Sequence, residues 1–207
     1  MIGEQGGSPR PGVRRAAPAL LLGLFGVSWA AVLVRLAAAP APSVAFWRLV
    51  FSVALLLPPL WISGEWRQLR RLPAADWGLL GLSGLFLGAH LTTWFASLEL
   101  TSVASSTVLV TAHPLFVGLL SALWLREPPE RREWLGIGLA VAGGVAVGWG
   151  DFRGGPEPLA GDLLAVAGAV LTALYFVVGR RLRSRLGVWS YVVPVYAAAA
   201  LVTGGFA

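Results

Sequence analysis

Cysteine and lysine are both absent from the 207 residues, and only 13% of the chain is charged. Without cysteine there is no disulfide framework and no thiolate metal site, and redox usage says nothing of the compartment. Without lysine there is no phosphate-binding Gly-Lys-Thr motif, which argues against energy drawn from ATP bound to this chain. A soluble domain so short of charge would lack the polar surface needed to cover itself. What the chain has in abundance is apolar side chain. Hydrophobic residues make up 57% of it, mean hydropathy is +0.74, and the apolar runs follow one another with only short charged interruptions. Bilayer, rather than water, is the solvent this pattern suits.

Apolar segments of the roughly 20 residues that a spanning helix needs lie near 17 to 38, 43 to 63, 77 to 98, 103 to 125, 134 to 150, 161 to 179 and 189 to 206. Prolines fall in the connections between them, at Pro40 and Pro42, Pro73, Pro128 and Pro129, and Pro156 and Pro158, as expected where the chain leaves a helix. The stretch Gly150 to Pro158 reads as an exposed connection. The expected fold is an all-α polytopic membrane protein of about seven transmembrane helices.

All sixteen basic residues are arginine, against ten acidic residues, and the isoelectric point is near 11.2. A nucleic-acid binder gathers such charge on one face or arm; here it sits between the apolar runs, so no nucleic-acid partner is expected. One side of the alternation holds Arg10, Arg14, Arg15, Arg67, Arg70, Arg71, Arg126, Arg131, Arg132, Arg180, Arg181, Arg183 and Arg185, and the other only Arg35 and Arg153. The positive-inside rule then predicts a multi-pass protein of the inner (plasma) membrane with a cytoplasmic N-terminus. The apolar run after Arg15 is not followed by a small-residue cleavage site, and the N-terminal stretch is expected to stay attached.

Laid over the first span, the sixth shows a weak likeness: residues 20–35, ending in Val-Leu-Val-Arg35, resemble residues 163–180, ending in Val-Val-Gly-Arg180, at an offset of about 145. Five spans intervene, so the second copy would lie inverted in the membrane, an arrangement recurrent in secondary transporters. The division this predicts is a tail at 1–16, a first five-helix repeat at 17–150, and the start of a second repeat at 151–207 with two helices. On that reading the sequence is a truncated form of a longer 5+5 protein.

Several stretches resemble the EamA family of the drug/metabolite transporter superfamily: Ala45-Phe-Trp-Arg48; the run from His90 to Ser106; Pro114-Leu-Phe; Leu125-Arg-Glu127; Trp134-Leu-Gly136-Ile-Gly138; and Ala142-Gly-Gly144. No single motif is specific; their order and spacing carry the likeness, which covers the chain from residue 17 onward. The resemblance implies a ten-helix protein built as two inverted five-helix repeats. It also implies transport of a small organic metabolite, amino acid or drug through a central cavity by alternating access.

Candidate residues follow from their chemistry in apolar surroundings. Arg48 lies about one turn into the second span, where an unpaired charge costs a few kcal/mol. It either binds a substrate carboxylate or snorkels to the outer headgroups. His90 and His113 are the only histidines. Each is a proton-coupling candidate or a packing residue bonded to a neighbouring helix. Pro114, next to His113, would free a backbone carbonyl one turn earlier. Trp29, Trp47, Trp94 and Tyr175 are candidates to line a cavity, Trp61, Trp66, Trp77, Trp124, Trp134 and Trp189 suiting interfacial belts, and Thr93 to offer a hydroxyl. Ser28, Thr92, Ser105, Ser106, Thr107 and Thr111 serve equally well to join helices. Glu99 and Glu127 read as loop charges. Gly136, Ala140, Gly144 and Gly148 form a small-residue face for another helix, of this chain or of a second copy in a homodimer. No catalytic residue, metal site or cofactor is expected. Two other classes stay open. A non-transporting scaffold needs only the packing, and an intramembrane hydrolase would use Gly81-Leu-Ser83-Gly84, although His90 lies seven residues along the same helix, about 10 Å from Ser83.

Overall fold

The computed structural model describes residues 11–126, 129–148 and 156–207. Expectations for the N-terminal tail before residue 11, for Glu127 and Pro128, and for the connection at 149–155 lie outside these residues. The elements, in order, are α1 (Pro11–Leu36), α2 (Ala41–Ile62), a single turn α3 (Trp66–Leu69), α4 (Ala74–Leu100), α5 (Val103–Thr111), α6 (His113–Leu120), a π-helical turn (Ser121–Leu125), α7 (Arg131–Gly148), α8 (Pro156–Arg183) and α9 (Val188–Gly204). There is no strand among the described residues. The chain is an all-α polytopic membrane protein. Its helical segments coincide with the seven apolar runs, and Ala41–Ile62, Ala74–Leu100, Val103–Trp124 and Pro158–Arg183 are long and apolar enough to cross a bilayer. Leu21–Leu36 and Val188–Gly204 are shorter apolar helices.

Local chemistry sets the boundaries. Pro40 precedes α2 and Pro73 precedes α4, both in extended conformation. Ser102 caps α5, its side chain accepting from the Ser105 backbone N–H. The run at 103–125 is one span in the sequence but is broken after Thr111. Pro114 has no N–H for the Val110 carbonyl four residues back, so α5 ends and α6 begins with Pro114 in its first turn. The π turn then closes at Arg126, a non-glycine residue held at φ 56°.

α4 is the central helix. It packs most heavily against α8, then α9, and α9 packs in turn on α2. The approach to α9 depends on missing side chains: a Cβ on Gly84 would stand 2.7 Å from the Val195 carbonyl oxygen, and one on Gly88 2.9 Å from that of Ala199. Two buried clusters result. Phe95, Leu98, Leu49, Ala45 and Ala199 form one, and Leu80, Leu182, Tyr191 and Val195 the other.

Polar ties hold both ends. The N-terminus of α9 has no capping side chain of its own, since Gly187 occupies the cap. Glu65, beside α3, reaches across and accepts from the Trp189 and Ser190 backbone N–H groups at 2.9 and 3.0 Å. Gln68 accepts from the Gly187 N–H at 3.0 Å and from the Ser190 hydroxyl at 2.9 Å. At the opposite end Glu99, read from sequence as a loop charge, accepts from the Ala41 N–H at the start of α2. Thr101 donates to Asp162 of α8 at 2.8 Å.

Candidate functional site

Midway along α4 a helical turn carries His90, Thr93 and Trp94, and α8 faces it with Gly168 and Thr172. The imidazole Nδ1 of His90 is 2.9 Å from the Gly168 carbonyl oxygen and 2.6 Å from Thr172 Oγ1. A carbonyl only accepts, so Nδ1 carries the proton; the Thr172 hydroxyl spends its own on the same carbonyl, at 3.0 Å. In that tautomer Nε2 presents a lone pair. The Trp94 ring lies nearly parallel to the imidazole, 5.8 Å away and tilted 16°. Gly168 permits this fit, because a Cβ there would already stand 3.3 Å from Thr93 Oγ1 and 3.6 Å from His90 Nδ1.

Trp94 is buried, and its indole N–H has no acceptor among the described residues, a state that costs about 1–3 kcal/mol when nothing else satisfies it. Around the cluster stand three further polar groups. Arg48 of α2 is exposed, and its guanidinium lies 5.7 Å over the Phe95 ring. Arg48 and His113 are both within Coulombic reach of His90, and Tyr196 of α9 within reach of Arg48. His113 sits at the helix break, where its Nδ1 approaches the Val110 carbonyl at 3.3 Å, the same carbonyl that Pro114 deprives of a helical donor. Its ring stacks on Phe176 of α8 at 5.5 Å.

The structure thus brings together His90, Thr93 and Trp94, with Arg48 and His113 nearby. It does not bring in Trp29, which is 51% exposed on α1 beside Phe25. Tyr175 lies apart too, packed with Phe176 and Tyr191 against the second cluster. Ser28, Thr92 and Thr111 bond back to carbonyls of their own helices, while Ser106 joins Ser97 across α4 and α5 at 2.6 Å. Ser83 is fully buried where α4 meets α9, and neither histidine bonds to it among the described residues. The expected small-residue face of α7 is not packed as a scaffold at Gly136, where a Cβ would meet nothing within 4 Å. Gly136 and Ala140 instead line a groove. The surroundings of Gly144 and Gly148 lie outside the described side chains.

A profile of the EamA-like transporter family matches residues 16–149. The chain belongs to that family. Among curated relatives, the uncharacterized transporter YdfC of Bacillus subtilis (strain 168) is 27% identical over 187 residues, 85% of this chain and 59% of that one. The uncharacterized transporter YyaM of the same organism is 29% identical over 146 residues, 67% of this chain and 46% of the relative. A probable 4-amino-4-deoxy-L-arabinose-phosphoundecaprenol flippase subunit, ArnE of Klebsiella pneumoniae (strain 342), is 34% identical over 70 residues, 33% of this chain and 62% of its own. The chain spans about half the length of the curated relatives it matches. Within the EamA match fall Arg48, His90, Trp94 and His113, whereas Gly168, Thr172, Tyr175 and Tyr196 lie beyond it. The site is therefore assembled across the edge of the family match, with α4 inside and α8 outside. Thr172 and Gly168 escaped the sequence reading; their i, i+4 spacing was the available signal, since it places both on one helix face.

Proposed function

We propose that this EamA transporter carries a small organic metabolite, amino acid or drug across the inner (plasma) membrane by alternating access, coupled to an ion gradient, with its arginine-rich end cytoplasmic. The observation that supports this most is the His90 site. A histidine held through Nδ1 by Gly168 and Thr172 leaves Nε2 for a proton between two helices, next to an indole N–H without an acceptor among the described residues. Arg48 and Trp94 are both donors, which suits a solute bearing a carboxylate or another acceptor group. His90 takes the role of proton carrier, with His113 as its neighbour at the break in the fourth span, and Thr93 supports the surrounding wall.

α8 and α9 serve in this reading as the beginning of a second repeat, following a first repeat over 17–150. Membership of a transporter family points away from an enzyme, and the burial of Ser83 agrees. The test is flux. The protein is reconstituted in sealed vesicles and the uptake of labelled amino acids, metabolites and dyes is followed with and without an imposed proton gradient. Gradient-driven uptake that His90→Gln uncouples and Arg48→Ala weakens supports the proposal. A folded, correctly oriented protein that moves nothing in the panel overturns it in favour of a scaffold, and flux indifferent to both changes overturns the roles given to His90 and Arg48.

A further inference from the structure

α7 packs on α5 and α6, and α8 on α4, α5 and α6, so that a groove of about 870 Å³ is left between α7 and α8. α6 and the π turn form its floor. Its walls are apolar, with Leu115, Val117, Ile137, Ala140, Val141 and Val177 along them, and His113 and Phe176 also line it, Phe176 beneath the Arg183 guanidinium. From Glu133 to Val141 the α7 wall rises about 12 Å at 1.5 Å per residue. That is close to the roughly 15 Å of a single leaflet's hydrocarbon, half of a core about 30 Å thick.

The mouth of the groove is charged, at the arginine-rich end of the molecule. Arg180 and Arg183 line it from α8 and Glu133 from α7, with Arg131 and Arg132 in the same first turn of α7. Glu133, the acid among the groove's lining residues, is turned to its own helix, where its Oε2 accepts from the Glu130 backbone N–H at 2.7 Å. Arg183 donates to the Phe176 carbonyl at 2.7 Å and lies over the Phe176 and Tyr191 rings, at 5.1 and 6.0 Å. No carboxylate bonds to it among the described residues. A guanidinium has five N–H donors, so most of Arg183's remain for an anion at the rim.

An apolar slot one leaflet deep, with a cationic rim at the headgroup level, matches one chemistry. We propose that the α7–α8 groove binds an anionic phospholipid, an acyl chain lying along Ile137, Ala140 and Val141 and the phosphate held by Arg183. The unpacked small residues of α7 then have a purpose other than helix packing: they make room for the chain. This site is separate from the His90 cluster and stands whichever solute that cluster takes.

The test uses the full chain reconstituted in phosphatidylcholine vesicles with a minor share of phosphatidylglycerol. Spin-labelled lipids of each headgroup report the fraction held immobile by the protein. The proposal expects phosphatidylglycerol to be favoured about fivefold over phosphatidylcholine, the preference that one arginine near a membrane surface confers. Arg183→Gln should remove most of that preference, Arg183→Lys should keep it, and Arg35→Gln, at the opposite end, should leave it unchanged. Ala140→Phe, which fills the slot, should lower the immobile fraction for both headgroups while circular dichroism stays that of the unsubstituted protein. Equal retention of the two lipids, an unchanged preference in Arg183→Gln, or displacement of the held phosphatidylglycerol by millimolar inorganic phosphate would each overturn it, the last by pointing to a site for a free anion.

Discussion

Helices α1 and α8 begin from similar apolar strings about 145 residues apart, yet they end in different surroundings. In α8, Ala165, Ala169 and Ala173 are 0% exposed, and Gly168 lies against Thr93, Val110 and His90. In α1, Leu21, Leu22, Leu24, Phe25 and Trp29 all stand out from the protein, and a Cβ on Gly23 would meet nothing within 4 Å. Among its described side chains α1 joins the core toward its C-terminal end, through Ala31 with Ala30 and Val34. The difference follows from side-chain size along one face. At the offset of 145, Ala165 corresponds to Leu20 and Ala169 to Leu24. The alanine and glycine stripe lets α4 come close, which is how helices gain van der Waals contact where lipid offers no hydrophobic drive. The leucine stripe is as comfortable in lipid as against protein.

That contrast can be broken most strongly at the shared glycine. Gly168→Leu has to push α4 and α8 apart and should cost about 1–3 kcal/mol of stability, read as an earlier unfolding transition in detergent micelles. Gly23→Leu should change the transition by no more than about 0.5 kcal/mol. A comparable loss at both positions would show that α1 is packed as tightly as α8.

The functional side of the comparison comes next in size. His90→Ala should lower gradient-driven flux about tenfold, the equivalent of one charge-assisted hydrogen bond, whereas Trp29→Ala on α1 should change it less than about twofold. Parallel uptake curves from the two variants decide whether α1 belongs to the working site. Glu65→Ala should then destabilise the protein by about 1 kcal/mol, the ordinary cost of an uncapped helix start, with hydrogen exchange accelerated at Trp189 and Ser190 and unaffected in α1. Thr172→Val is the mildest change. Interhelical hydrogen bonds in membranes average about 0.6 kcal/mol, and its readout is a shifted imidazole N–H resonance of His90.

The seven helical segments were legible because apolar run length and arginine alternation are properties of the chain itself. The break at Pro114 was legible for the same reason, since a missing N–H is a local fact; its consequence, the His113 ring beside the Val110 carbonyl, required the fold. His90, Thr93 and Trp94 were within reach of sequence because they share a helical turn. Their partners were not, because Gly168 and Thr172 meet them across roughly eighty residues of chain, a pairing decided by how closely two small-residue faces approach. Trp29 and Tyr175 were chosen for their aromatic chemistry alone, and their placement on an exposed face and in a tyrosine cluster depends on packing that aromatic character does not encode. The α7 stripe is the opposite case: a small-residue face permits a close neighbour, and at Gly136 no helix of this chain takes the place.

The cap that Glu65 places on α9 bears on how the protein is made. The carboxylate leaves the ribosome more than a hundred residues before the helix start it will hold, so during synthesis the turn at Trp66–Leu69 waits at the membrane surface for α9 to be threaded. Were α9 threaded in the opposite sense, its first N–H groups would emerge a bilayer's thickness from that turn and find no acceptor there. The Glu65 contact therefore closes only when the start of the seventh apolar run and the turn at Trp66–Leu69 stand at the same end of the bundle.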